Sequence, residues 1–132
     1  MATRALTAGT FWDTVNSNDI VRVDFWASWC GPCMRFGPVF ERASDENPDI
    51  VFAKVDTEAE QVLAASAGIQ SIPTLFAFRG GVLLLNQAGA LPGQVLDQLI
   101  GKIRELDMDE VRSQMEAKKA GAEKAEAAQP EA

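Results

Sequence analysis

Two patterns of hydrophobic and polar positions alternate along the chain. Residues 20–26, Ile-Val-Arg-Val-Asp-Phe-Trp, are almost continuously apolar instead of alternating. That predicts a central strand covered on both faces. Residues 50–56 repeat the pattern, and 74–78 and 82–87 add two more strands, parted by the hairpin turn Arg79-Gly80-Gly81. Between them, apolar residues recur at helical spacing. Phe36, Val39, Phe40 and Ala43 give an inward face to a helix over about 33–47, in which Pro38 predicts a kink. A helix over about 58–67 stops at Gly68. Val95, Leu96, Leu99, Ile100 and Ile103 face inward on a last helix over about 92–105. Near the N-terminus, residues 4–7 predict a weak strand. Thr7 or Thr10 is placed to cap a short helix reaching Asn16, Thr10 with Asp13 fitting a capping box, with Trp12 and Val15 inward.

This order predicts parallel strands first and an antiparallel hairpin after. The expected architecture is a three-layer α/β sandwich, a central mixed five-stranded sheet flanked by four helices. Past residue 106 the pattern changes. Met108, Val111 and Met115 are spaced for two further helical turns, but no large apolar residue follows Lys118. Such a segment buries too little surface to offset its ordering entropy. The expected division is a domain over 1–106 and a charged, disordered tail over 107–132.

A length of 132 residues suits one domain with a real core. The net charge of −7 argues against nucleic acid and anionic membrane as partners. No apolar run approaches a membrane span, and Met1 to Thr7 lacks the apolar stretch of a signal peptide, so the cytosol is the expected compartment. Stable disulfides are rare there, and transient catalytic ones are the usual kind. With no histidine, acid–base chemistry near neutral pH falls to a perturbed carboxylate, lysine or cysteine.

Those bounds bear on the only two cysteines, in Trp29-Cys30-Gly31-Pro32-Cys33. They stand where a strand hands over to a helix, the setting in which C-x-x-C reads as a redox motif. Residues three apart in a first helical turn are close enough for a disulfide. The orphan N–H groups and positive dipole end favour a thiolate on Cys30, while Pro32 fits the first turn. Cys33, one turn in, is expected to be shielded. Cys30 then attacks and Cys33 resolves. Half a zinc site and a purely structural disulfide compete with this. Zinc usually wants four Cys or His ligands, which this chain reaches only as a dimer. A bridge closing so short a loop constrains the unfolded chain little. No metal or bound cofactor is expected.

Asp24 interrupts an apolar strand. A satisfied buried carboxylate is one reading. A proton acceptor for Cys33 is the other, because burial raises a carboxylate's pKa toward the working pH. Trp29 reads equally as a packed aromatic or as an exposed substrate contact. Gly89 reads as turn chemistry or as room for a partner backbone.

Several segments carry a family resemblance: Val23-Asp24-Phe25-Trp26-Ala27-Ser28 running into Trp29-Cys30-Gly31-Pro32-Cys33, then Ala53-Lys54-Val55-Asp56, Ser71-Ile72-Pro73-Thr74, Gly80-Gly81 and Ala88-Gly89-Ala90-Leu91. In this order, from about Leu6 to Leu106, the chain closely resembles the thioredoxin family. The resemblance implies the thioredoxin fold and a protein-disulfide reductase, re-reduced by a flavin-dependent thioredoxin reductase using NADPH. It implies that Lys54 partners Asp24. It implies a cis Ile72–Pro73 bond and an Ile72 backbone beside Cys30, ready to pair with an extended substrate. Trp29, Gly31, Pro32, Ile72, Pro73 and Gly89 are then the substrate-binding surface, and the expected state is a monomer. The rival is a non-catalytic thioredoxin-like binding module, against which the Gly31-Pro32 pair and Asp24 both weigh. Two departures stand out. Met34 follows the second cysteine, where the family often has a basic residue, and Arg35 comes next; the tail lies outside the pattern.

Overall fold

The computed structural model of the chain describes residues 2–128, with side chains for 2–118. Ten elements follow one another: β1 (Thr3–Ala5), α1 (Phe11–Ser17), β2 (Ile20–Trp26), α2 (Gly31–Glu46), β3 (Val51–Asp56), α3 (Gln61–Ser66), β4 (Thr74–Arg79), β5 (Val82–Ala88), α4 (Gly93–Glu105) and α5 (Met108–Ala128). The five strands form one sheet in the order β1-β3-β2-β4-β5. β2 pairs parallel with β3 and antiparallel with β4, which makes the sheet mixed and β2 its centre. This is the thioredoxin fold.

Each face of β2 is covered, as its unbroken apolar run requires. Val21, Val23 and Phe25 pack with Phe11 and Val15 of α1 and Leu63 of α3. Ile20 lies on the other face, with Phe36 and Phe40 of α2 and Leu96, Ile100 and Ile103 of α4. Arg22 shares that second face and is fully buried there. Its register partners are Phe52 and Ala77, and none of its guanidinium nitrogens has a hydrogen-bond partner among the described residues. Desolvation lowers its pKa to about 10.

The turns follow from local chemistry. Gly80 and Gly81, at φ +58° and +79°, form a two-residue hairpin loop between the paired Arg79 and Val82. A loop needing positive φ at both positions selects glycine. Arg79 then reaches away from the hairpin. Its Nη1 donates to the carbonyls of Ile103 and Leu106, both at 2.7 Å, satisfying acceptors that the end of α4 leaves open.

Several expectations are corrected. Trp12 is 57% exposed, because Phe11 and Val15 take the inward face of α1 and Trp12 only lays its ring edge-on against Phe11 and Phe78. Val95 is exposed for a similar reason: Leu96, Ile100 and Ile103 define the buried stripe of α4. Thr10 makes no side-chain cap. Its hydroxyl accepts instead from the Thr7 N–H at 3.0 Å, closing the turn before the helix. α3 starts at Gln61, later than expected, because Asp56 Oδ1 accepts from the Glu58 N–H at 2.9 Å and holds the preceding residues in a turn.

Past residue 106 the chain continues as Met108–Ala128, a fifth helix beyond the four expected. Asp107 Oδ1 accepts from the N–H of Asp109 at 3.0 Å and caps it, and the Ala, Glu and Lys that follow are good helix formers. Met108 and Val111 are half-buried, and Arg112 Nη2 donates to the Gly80 carbonyl at 3.2 Å. Residues 129–132 of the expected tail lie outside the described residues.

Candidate active site

The site forms where β2 ends and α2 begins. Cys30 is the N-cap of α2, with Gly31 and Pro32 in the first turn. A proline there sacrifices no hydrogen bond. Cys30 and Cys33 are joined as a disulfide, their Cα atoms 5.2 Å apart. The Cys33 N–H donates to Cys30 Sγ at 3.2 Å. The helix start therefore supplies both a direct donor and the positive end of its dipole to Cys30. Cys33 is buried, as expected of the inner residue of the pair, and Cys30 is nearly as covered. Gly31 and Pro32 are exposed beside them.

The segment leading into β4 brings a second wall. The Ile72–Pro73 peptide bond is cis, and the Ile72 carbonyl oxygen lies 3.7 Å from Cys30 Sγ. Pro73 is buried and Ile72 half-buried. Gly89, at φ +97°, is exposed and donates its N–H to the Pro73 carbonyl at 2.8 Å. The structure thus brings Ile72 and Pro73 to the cysteines and ties Gly89 to Pro73.

Trp29 is 69% exposed, so the packed-aromatic reading fails. Its Nε1 donates to Glu58 Oε1 at 2.8 Å. Beside it a groove of about 330 Å³ runs along α3, lined by Gln61, Ala64, Ile69 and Ile72 among others. Sequence reasoning misses Glu58. Its signal is the parallel register: the pairing of Trp26 with Asp56 at the ends of β2 and β3 sets side by side the turns that carry Trp29 and Glu58.

Asp24 lies beneath this surface and is 0% exposed. Its register partners are Lys54 on β3 and Leu75 on β4. Leu75 belongs to the same core cluster as Phe36 and Phe40, so Asp24 stands on the face of the sheet that α2 covers. Neither carboxylate oxygen has a hydrogen-bond partner among the described residues. Desolvation pushes the Asp24 pKa up to about 7, against a smaller lowering by the Lys54 charge. Lys54 is half-buried, its ammonium 4.8 Å from the centre of the Trp26 ring.

Among the described residues, no group of three or more Cys, Asp or Glu is placed to hold a metal ion, and no helix is long and apolar enough to cross a membrane.

Comparison with known proteins agrees with this geometry. The thioredoxin family model matches residues 2–119. A protein named putative thioredoxin 2 from Streptomyces coelicolor is 55% identical over 111 residues, covering 84% of this chain and 83% of its own. A thioredoxin from Chlorobaculum thiosulfatiphilum is 39% identical over 89 residues, 67% of this chain and 82% of its own. Among solved structures, a single-site mutant of a thioredoxin from Halobacterium salinarum superposes with a TM-score of 0.74 at 32% identity, over 80% of this chain and 93% of its own. A paired C-x-x-C at a helix start, facing a cis-proline segment, is thus set in a chain that belongs to the thioredoxin family, whose members are thiol–disulfide oxidoreductases.

Proposed function

We propose that this chain reduces disulfides in other proteins, with Cys30 as the attacking thiol and Cys33 as the resolving one. The observation that carries the assignment is the hydrogen bond from the Cys33 N–H to Cys30 Sγ at the start of α2. A donor there stabilises negative charge on Cys30, the sulfur that stands at the positive end of the helix. In the first step the Cys30 thiolate attacks one sulfur of the substrate disulfide. A Cys30–substrate bond forms, and the other substrate sulfur leaves as a thiolate and takes up a proton. In the second step Cys33 loses its proton and attacks Cys30 Sγ. The remaining substrate sulfur is released, and the two electrons of the dithiol have moved to the substrate.

Asp24 is the acceptor of the Cys33 proton, and Lys54 tunes it. A carboxyl group with a pKa of about 7 is half ionised at neutral pH, where a base is most effective. The substrate lies extended against the Ile72 backbone, with Trp29, Gly31, Pro32, Pro73 and Gly89 as its contacts. A flavin-dependent thioredoxin reductase with NADPH returns the Cys30–Cys33 disulfide to the dithiol. The cycle needs no metal or bound cofactor, and residues 1–106 suffice for it. The chain acts as a monomer in the cytosol.

Insulin reduction tests the reading. Turbidity should develop with dithiothreitol as electron donor, and again with NADPH and a thioredoxin reductase. No acceleration over dithiothreitol alone would sink the reductase assignment. Acceleration with dithiothreitol but not with the reductase would sink only the recycling partner.

A further inference from the structure

Few charged side chains surround Cys30. Segments 66–74 and 86–94, which bring Ile72, Pro73 and Gly89 to the site, contain no ionisable residue. The end of β3 and the turn after it hold three carboxylates, and each is engaged. Asp56 accepts from the Glu58 N–H, Glu58 from the Trp29 indole, and Glu60 from the Ala8 N–H at 3.2 Å.

Arg35 is the exception. It stands four residues after Gly31 on α2 and is exposed. Side chains on a helix lean toward its N-terminus, so residue i+4 covers residue i. Arg35 does so closely: its Nη1 stands 3.4 Å from where a Cβ on Gly31 would be. The guanidinium therefore lies over the Cys30–Gly31 end of the helix. No hydrogen bond or ion pair engages it among the described residues. Met34, its exposed neighbour, is uncharged.

We propose that Arg35 sets substrate preference by pairing with a carboxylate beside the half-cystine that Cys30 attacks. The proposal rests on Cys30 being the attacking thiol. A planar guanidinium with unused donors matches a carboxylate in two parallel hydrogen bonds, which a lysine cannot reproduce. With a net charge of −7 the chain as a whole repels an acidic partner, so a preference for one has to arise locally. The pair is solvent-facing, which limits its effect to about three- to fivefold in rate.

Three fluorogenic disulfide peptides that differ only in carrying Glu, Gln or Lys next to the attacked half-cystine test this. The reduced protein and its Arg35→Gln, Arg35→Lys and Arg35→Glu variants are compared at about 0.15 M ionic strength, where charges further than about 8 Å are screened. The unsubstituted protein should reduce the Glu peptide about three- to fivefold faster than the Gln peptide, and the Lys peptide slowest. Arg35→Gln should level the three rates, Arg35→Lys should keep part of the order, and Arg35→Glu should invert it. Titration of the Cys30 thiolate by its ultraviolet absorbance runs alongside. Equal rates on all three peptides overturn the proposal and leave the reductase reading standing. A uniform slowing by Arg35→Gln with a raised Cys30 pKa also overturns it, by showing that Arg35 acts on the thiolate and not on the substrate. Failure of the unsubstituted protein on every peptide removes the reductase reading and this proposal together.

Discussion

Asp24 stands directly opposite Lys54 across the β2–β3 ladder, yet the carboxylate has no hydrogen-bond partner among the described residues and its pKa is raised, not lowered. Desolvation outweighs the lysine. A buried acid of this kind costs stability whenever it is ionised. Its folded pKa of about 7 lies above the unfolded value of about 3.9. As pH rises the unfolded chain loses its proton first, so folding is penalised from the unfolded pKa upward. The penalty grows to the folded pKa and then levels off. It comes to about 1.5 kcal/mol at pH 5 and about 4 kcal/mol at pH 8. Asp24→Asn removes it, less what the amide loses in hydrogen bonding. The oxidised variant should therefore gain stability in denaturant unfolding, and gain more at pH 8 than at pH 5. Equal gains would mean that Asp24 is not a buried acid. The same variant should slow resolution of the mixed disulfide at neutral pH and leave the first attack little changed.

Cys33→Ser should accumulate a covalent adduct with a model disulfide through Cys30, since nothing remains to resolve it. Cys30→Ser should accumulate none. Intact-mass spectrometry with peptide mapping reads both, and adducts found preferentially on Cys33 would reverse the roles.

Arg22→Met should stabilise the fold. The guanidinium is fully buried without a partner among the described residues, and desolvation has already lowered its pKa to about 10. That shift corresponds to about 3 kcal/mol against the charged form at neutral pH. Methionine is apolar and flexible enough to fill the space. A gain of about 1–3 kcal/mol, seen as a higher urea midpoint at constant slope, is expected. A loss of stability would show that the charge is compensated.

Removing residues 107–132 should leave the rate of disulfide reduction unchanged while lowering the melting temperature modestly. Met108 and Val111 are only half-buried and Met115 is 48% exposed, so α5 contributes about 1 kcal/mol, or roughly 4–8 °C. Calorimetry and the insulin assay on the truncated chain check both halves. A drop in rate would place α5 in the catalytic cycle.

Much of the fold is legible in the chain because β2 and the C-x-x-C segment are dense in constraint. An unbroken apolar strand followed at once by paired cysteines and a proline leaves few local structures open, and both the sheet and the disulfide follow. What escapes is decided between distant residues. Trp12 reads as core because it is apolar at a plausible spacing, but Phe11 fills the inward position one residue earlier. The Trp29–Glu58 bond needs the β2–β3 register, which composition does not supply. An argument from apolar burial passes over α5, because it ignores Asp107 as a cap and the helix-forming tendency of the residues after it. Arg22 reads as one polar residue in an apolar strand, and only the structure shows its charge buried there without a partner among the described residues.

The bonds from Arg79 to Ile103 and Leu106 also set a clock. The acceptors lie 24 and 27 residues further along the chain. At the usual pace of translation, about 5–20 residues per second, roughly one to five seconds separate the making of Arg79 from the making of its partners. Four of the five strands exist when Arg79 is made and the fifth soon after, but the layer that α4 contributes comes last. The domain is therefore closed from its C-terminal side, and a nascent chain interrupted before residue 103 leaves Arg79 with Asp19 as its partner but without its carbonyl acceptors, next to a sheet face that α2 covers only in part. Such a chain presents the exposed apolar surface that chaperones and proteases recognise.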